Sequence, residues 1–318
     1  MILLDLANKL NIECSSDIEI SGLNTLKDAN SNELSFLENK KYLKDLKSTN
    51  AAAVLVSSNM KDDVPNGTIA LVCDEPYLQL AYASKYFAPS VVETTGNNPI
   101  IGVNTNIMEN TYIGFNSKIG ENCTIMPGVF IGDNVTIGDN CIIYPNVNIY
   151  RDCILGSDIT IHAGTTIGSD GFGFATTKDG QHIKIYQNGN VSIGSNVEIG
   201  SNCAIDRGAF ASTIIENMVR LDNLVHIAHN CKIGYGSILT GQVGLAGSTI
   251  LNEYVVMAGQ SACTGHLEIA PFTTLSARAV ASKSITEPKK QWAGFPLVEH
   301  RTWMKIQGKI QRLLKNKG

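Results

Sequence analysis

The run IGENCTIMPGVFIGDNVTIGDNCII, residues 119–143, returns an isoleucine every sixth residue. The beat extends far in both directions. It begins at Ile101 and continues without a slip through Ile107, Ile113, Ile149, Leu155 and Ile161 to Ile167. It breaks at a Gly/Phe-rich insert and returns at Ile193, Ile199 and Ile205. It shifts once more, by four residues, and then runs from Ile215 through Leu221, Ile227 and Cys263 to Ala281. Twenty-seven hexads result. A fixed short period of this kind marks a solenoid.

A second beat sits inside the first. The fifth residue of each hexad is small or β-branched, as at Ser117, Cys123, Val129, Val135 and Cys141. Positions one and five therefore point inward. Gly recurs at position two and Asn at position four, as at Gly120, Gly132, Asn122 and Asn134. Both tolerate the backbone angles of a tight corner. One large and one small inward residue per side suit a triangular coil of three hexads. The fold class expected is mainly β: a parallel β-helix of nine coils, about 43 Å long at the usual strand spacing. It is similar to the known hexapeptide-repeat proteins, and that similarity implies a left-handed coil, against the usual right-handed crossover.

Composition narrows the function. The chain has 318 residues and a net charge of −4, which does not suggest nucleic acid. No apolar run approaches the ~20 residues of a membrane span. The start, MILLDLANKLNIE, carries an acidic residue at position five and no small-residue cleavage site, so it does not read as a signal peptide. A cytoplasmic protein is expected. Of eight cysteines, Cys123, Cys141, Cys153, Cys203 and Cys231 fall on the small inward slot and Cys263 on position one. No CxxC pair exists. They read as small buried hydrophobes rather than as disulfides or metal ligands.

Three units are expected. Residues 1–98 lack the beat and read as a small α/β domain. Helices are expected over Met1–Leu10, Glu38–Lys47 and Glu75–Tyr86, and strands over Ile18–Gly22, Glu33–Phe36, Ala51–Val56 and Thr68–Val72. Residues 99–286 form the solenoid, with an insert over 169–192. Residues 287–318 follow a Gly294–Phe295–Pro296 turn with a helix whose apolar face is Trp303, Ile306, Ile310, Leu313 and Leu314. Residues 289–318 carry +7, from Lys289 and Lys290 to Lys315 and Lys317, so the remainder carries −11. A basic patch on an acidic protein points to an acidic partner; a solvated helix face is the plainer alternative.

The candidate chemistry lies on the solenoid. His162 sits at a corner and reads as surface; His182 is in the insert and His300 in the tail. His226, His229 and His266 cluster. The hexads of His229 and His266 are six apart, hence two coils, which puts both on one side about 10 Å apart. Asp206 lies one coil from His229 on the same side, and Asp222, one corner earlier, competes with it as the carboxylate that orients the imidazole. The insert opens with Asp170, Phe172 and Phe174 among glycines, and a loop thrown out of a rigid scaffold is where binding concentrates. Alternatively, its Phe side chains merely cover the prism. An exposed, oriented His suits general-base acyl transfer. A zinc lyase of the same fold would need three ligands converging at ~2.1 Å. A structural or ligand-binding solenoid would leave the insert and tail unexplained.

Five runs in this order and spacing carry a family resemblance: Asp170–Gly171–Phe172–Gly173–Phe174, Ile205–Asp206–Arg207–Gly208, Asp222 to Asn230, Gly265–His266, and Ile285–Thr286–Glu287–Pro288. Together they make nearly the whole chain resemble the UDP-3-O-acylglucosamine N-acyltransferases of lipid A biosynthesis. The resemblance implies a homotrimer with active sites between neighbouring prisms, and no cofactor or metal. It implies transfer of a 3-hydroxyacyl group from acyl carrier protein to the 2-amino group of UDP-3-O-(3-hydroxyacyl)-glucosamine. His229 matches the base, and His266 the second active-site histidine. Phe36, Asn39 and Tyr42 match the set that holds the uracil ring. The basic tail matches the carrier-protein docking surface. The acyl chain is expected along the last coils, near Arg278 and Val280. Two departures stand out: Lys289 where Gly is expected, and His226 where Gln is common.

Overall fold

The computed structural model describes residues 1–91, 93–294 and 300–315. Phe295, Pro296 and Lys317, and the side chains of Leu314 and Lys315, lie outside the described residues, so the expected turn and part of the tail are not treated further.

The hexads close into a three-walled prism. The first wall runs from strand Ile100–Ile101 to Glu268–Ile269, and the third from Tyr112–Ile113 to Val280–Ala281. Each holds nine strands. The second wall, from Asn106–Ile107 to Thr274–Leu275, gains a tenth strand, Gln291–Trp292. Every pairing within the walls is parallel and joins residues one coil apart, as Phe130 with Asn148 and Ile131 with Ile149. The core is the two inward columns: Ile125, Ile131, Ile143 and Ile161 with Val135, Cys141, Val147 and Cys153. Burial pushes the Cys141 and Cys231 thiols up to about 12, so they pack as neutral apolar groups.

Each corner turns on a left-handed residue. In the early coils it is Asn: Asn116, Asn134 and Asn140 sit at φ near +58°. Their side chains form ladders, Asn116 Nδ2 donating to Asn134 Oδ1 at 3.2 Å and Asn134 Nδ2 to Asp152 Oδ1 at 3.0 Å. In the later coils the same position holds Met218, Leu224, Tyr254, His266, Phe272 and Arg278, all at positive φ. Lys289 adopts φ 58° as well, with its ammonium 5.7 Å from the Phe272 ring centroid, so a lysine takes a backbone angle that suits glycine.

The N-terminal unit is a four-stranded parallel sheet in sequential order: Gly22–Leu23, Glu33–Phe36, Ala53–Val56 and Ile69–Val72. Helices Leu3–Lys9 and Pro76–Ser84 pack on one face through Leu3, Leu6, Leu80 and Ala83. Leu26, Leu37, Leu46 and Met60 pack on the other. The expected first strand is misplaced. Residues near Ile18 make only a bridge between Ile2 and Glu19, and pairing begins at Gly22. The expected Glu38–Lys47 helix is a 3-10 turn, Lys40–Tyr42, running into a short helix, Leu43–Lys47. Asn39 Oδ1 caps that turn by accepting the Lys41 N–H at 3.0 Å.

The insert is an antiparallel hairpin, Phe174–Thr176 with His182–Lys184. It does not lay its phenylalanines over the prism: Phe172 is 87% exposed and rests against Phe174, ring centroids 5.1 Å apart. Its buried side, Ala175 and Ile185, packs on Ala81 of helix Pro76–Ser84, with Phe210 at the margin. Ser84 Oγ accepts the Tyr186 N–H at 2.9 Å, and Asn188 Nδ2 donates to the Ser84 carbonyl at 3.1 Å. The hairpin thus straps the N-terminal unit to the prism. The final helix, His300–Lys315, leaves Trp303, Ile306, Ile310 and Leu313 exposed.

Ile143 lies fully buried in the middle of the prism. Ile143→Ala removes three carbons from a close-packed column and should cost ~2–4 kcal/mol. Thermal unfolding followed by circular dichroism should show a clear fall in Tm.

Candidate active site

All the breaks in the hexad rhythm leave from one edge, where the chain exits the third wall. The insert follows strand Thr166–Ser169. The four-residue swelling, Ala209–Phe210–Ala211–Ser212, follows strand Ala204–Asp206 one coil on. His229 follows strand His226–Ile227 in the next coil, and His266 follows Ala262–Cys263 two coils later. The walls of the prism stack in register, so these segments form one continuous edge. The structure therefore brings His229 and His266 to the same edge, close enough for the charge of His229 to act on His266.

His229 sits in a slot between two glycines. A Cβ on Gly171 of the insert would fall 2.7 Å from the His229 Cβ, and one on Gly247 of the next coil 2.7 Å from Cε1 and Nε2. The ring's orientation follows from its neighbour. Asn230 Oδ1 accepts the Ala209 N–H at 2.9 Å, which fixes the amide with its oxygen toward the swelling. The same oxygen lies 3.1 Å from His229 Nδ1. Nδ1 therefore donates to this oxygen, which in the neutral imidazole leaves Nε2, on the side of Gly247, as the nitrogen able to accept a proton. This is the tautomer a general base needs.

The orienting group is thus Asn230, and neither Asp206 nor Asp222 makes that bond. Asp222 belongs to the second wall, after strand Arg220–Leu221, and accepts the Asn223 N–H at 2.7 Å. One corner of separation is a whole wall, so within one chain it faces away from His229. Asp206 is on the correct wall, since Ala204 pairs with His226 and Ile205 with Ile227. Its carboxylate lies 3.8 Å from His226 Nε2 and accepts from Ser169 Oγ at 3.3 Å. Burial raises its pKa, opposed by the charges of His226 and His229 and by the Ser169 hydrogen bond.

His266 occupies the left-handed corner position at φ 59°, its N–H donating to the Gly247 carbonyl at 3.0 Å. Its pKa is depressed, first by desolvation and then by the charges of Lys41 and His229. A neutral imidazole results, placed to donate or accept a hydrogen bond. The influence of Lys41 also puts the N-terminal segment at this edge. Around it stand the exposed Asn39, Tyr42 with Lys41 4.6 Å over its ring, and Phe36 with its ring 5.9 Å from that of Tyr77. Asp170 pairs with Lys184 across the hairpin at 2.6 Å. Phe172 and Phe174 project from the same loop.

Arg207, quoted in the sequence only as part of a motif, is buried to 1% exposure. Its Nε donates to the Gly168 carbonyl at 2.7 Å and its Nη2 to the Arg151 carbonyl at 2.8 Å. It ties three coils together beneath the insert. A charge this deep is held by main-chain oxygens rather than by a carboxylate. Among the described residues, no group of three His, Cys, Asp or Glu side chains in one chain is arranged to hold a metal ion. No helix among them is long and apolar enough to cross a membrane.

Val280 and His226 share a row on the outer face of the third wall: His226, Gly244, Ala262 and Val280 pair in sequence. Gly244 and Ala262 leave a shallow trough between them, and a Cβ on Gly244 would meet nothing within 4 Å. Arg278 instead lies at the corner after the second wall, donating to Gln260 Oε1 at 2.8 Å.

A repeated-hexad prism with a histidine-bearing edge, an inserted loop and a strapped-on N-terminal unit defines a transferase of the hexapeptide-repeat class. The model of bacterial transferase hexapeptide repeats matches residues 116–151 and 135–169. The model of UDP-3-O-(3-hydroxymyristoyl) glucosamine N-acyltransferase matches residues 17–86. UDP-3-O-acylglucosamine N-acyltransferase 1 of Sulfurimonas denitrificans is 56% identical over 316 residues, 99% of each chain. The Campylobacter curvus UDP-3-O-acylglucosamine N-acyltransferase is 50% identical over 317 residues, again 99% of each. The chain belongs to the UDP-3-O-acylglucosamine N-acyltransferase family. Among solved structures, the Francisella novicida UDP-N-acetylglucosamine acyltransferase superposes with a TM-score of 0.54 at 24% identity, over 64% of this chain and 74% of that one, and shares the fold.

Gly247→Ala places a methyl group against Nε2 of His229. The variant should fold with a nearly unchanged Tm and lose at least about tenfold in kcat, because the imidazole is displaced from the position in which Asn230 holds it. Steady-state kinetics beside a thermal melt check both halves.

Proposed function

We propose that this protein transfers a 3-hydroxyacyl group from acyl carrier protein to the 2-amino group of UDP-3-O-(3-hydroxyacyl)-glucosamine, with His229 as general base. One observation supports the reading: Asn230 Oδ1, fixed by the Ala209 N–H, holds His229 by Nδ1 on the same edge of the prism as His266, so that Nε2 is the nitrogen available to take a proton. The amine attacks the thioester carbonyl, and Nε2 takes its proton as the C–N bond forms. The carrier's thiol leaves as the tetrahedral intermediate collapses. The amine is itself the nucleophile, so no Ser or Cys is required. His266, held neutral, hydrogen-bonds substrate in the crevice.

The three units take separate parts of the substrates. Residues 1–98 hold the uridine, with Phe36 and Tyr42 as stacking surfaces and Asn39 as a hydrogen-bonding group. Residues 99–286 supply the catalytic edge, and Asp170, Phe172 and Phe174 of the insert close over the sugar and its acyl chain. Residues 287–318 meet the acidic carrier protein with their basic helix. The protein works in the cytoplasm as a homotrimer, its prisms side by side, so that each crevice is completed by a neighbour. The acyl chain runs along the trough toward Val280, while Arg278 stands at the neighbouring edge.

Incubation with the UDP-linked O-acylglucosamine and a hydroxyacyl carrier protein, followed by mass spectrometry, should show one added acyl amide. His229→Ala should retain the assembled fold by light scattering and lose turnover by a factor on the order of 10² or more; near-normal activity would remove His229 as the base. Val280→Trp should shift the preferred donor to a shorter chain in a competition among donors. Unchanged preference would take the acyl chain out of the trough.

A further inference from the structure

The acceptor of the proposed reaction is a rod with uracil at one end, the acylated amino sugar at the other and a diphosphate between them. The residues proposed for the two ends leave the negative charges in the middle without a partner. Phosphates drawn out of water need an opposite charge or hydrogen-bond donors in exchange.

Contacts on the N-terminal unit fix where the middle of the rod must lie. Phe36 and Phe210 pack against the same core cluster of that unit. Ala209, next to Phe210, donates its N–H to Asn230 Oδ1 at 2.9 Å, and the same oxygen lies 3.1 Å from His229 Nδ1. A continuous run of contacts therefore joins the ring proposed to stack uracil to the ring proposed to take the proton. A diphosphate tethered to both ends crosses the gap between them.

Lys41 stands at the uridine side of that gap. Its backbone N–H donates to Asn39 Oδ1 at 3.0 Å, which anchors the Lys40–Tyr42 turn. Its ammonium lies 4.6 Å from the centroid of the Tyr42 ring. Among the described residues it forms no salt bridge, whereas Lys184 is bound to Asp170 at 2.6 Å and Lys178 to Glu75 at 3.9 Å. The charge of Lys41 also acts on His266, whose pKa is lowered first by desolvation and then by this lysine.

We infer that Lys41 binds the diphosphate of the acceptor, bridging the uridine site and the catalytic edge. The inference rests on the reading of Phe36, Asn39 and Tyr42 as the uridine site. A lysine meets phosphate oxygens as a compact point charge on a flexible stem. Its exposed contact with the Tyr42 ring is weak and is readily exchanged for a phosphate. Lys40 is equally exposed and precedes it in the turn, but among the described residues it makes no contact with an aromatic ring.

Uridine, UMP and UDP, each used as a competitive inhibitor against the acceptor, separate the base from the phosphates. Lys41→Met should weaken UDP by about tenfold, the scale of one charge-assisted hydrogen bond, and leave uridine within about twofold. The KM for the acceptor should rise with it, and the KM for the acyl carrier protein should not. Lys41→Arg should keep most of the affinity for UDP. Raised salt should weaken UDP more in wild type than in Lys41→Met. Lys40→Met controls for general charge and should leave UDP within about twofold. Equal losses of uridine and UDP in Lys41→Met would make Lys41 a support for the Tyr42 ring and overturn the inference. So would an unchanged UDP inhibition and acceptor KM, or a loss in Lys40→Met as large as in Lys41→Met. Tyr42→Ala and Phe36→Ala test the reading beneath. If neither weakens uridine, the uridine site falls; if both do and Lys41→Met leaves UDP unchanged, only the role of Lys41 falls. Lys41 is exposed, so its variants should fold normally, and a thermal melt run alongside confirms it.

Discussion

A six-residue side can turn a corner only if one residue in it accepts a left-handed backbone. Everything else in the prism depends on that. For most L-residues the angle costs roughly 1–2 kcal/mol, and Asn escapes part of it by local hydrogen bonding. The early coils follow the economical choice, with Asn after Asn joined in amide ladders. The later coils do not. They place Met218, Tyr254, His266 and Arg278 at the same corners, where side chains stand outward along an edge. His266 is thus set on its edge by the same left-handed corner that the other later coils repeat, held by the coils above and below.

The prism was legible in the sequence because its period is short and its core is two columns deep. Isoleucines at every sixth position and small residues at every fifth give the walls, and counting coils places His229 and His266 on one edge. The same counting put Asp206 on the right wall. It failed for Asp222, since one hexad before His229 is the adjacent wall. Asn230 was hidden for another reason. Asn is the commonest residue at position four, in ten of the twenty-seven hexads, so Asn230 reads as one more corner, although among the last twelve hexads it is the only Asn there. Only the swelling at Ala209, whose N–H fixes the Asn230 amide, makes the difference. The N-terminal unit was less legible. Short strands of three or four residues offer little period, so the first strand and the second helix were misjudged.

The seating of the N-terminal unit was not legible at all, because it rests on contacts between segments about a hundred residues apart. Ser84 meets Tyr186 and Asn188 across the insert. The same loop presents Gly171 to His229. One stiff hairpin therefore touches both the unit proposed to hold the nucleotide and the ring proposed to take the proton. A solenoid is rigid along its axis. Fixing the hairpin at both ends fixes the span between those two positions.

The hairpin and the four-residue swelling emerge from the same edge, and after each the coil resumes in step. Extra chain at that edge is therefore nearly free of consequence for the stack: doubling such a loop adds only ~0.6 kcal/mol of closure entropy. The column of isoleucines below does not register the change. An enzyme built this way can diversify what it admits by lengthening or shortening one bight, while the machinery of assembly stays as it was.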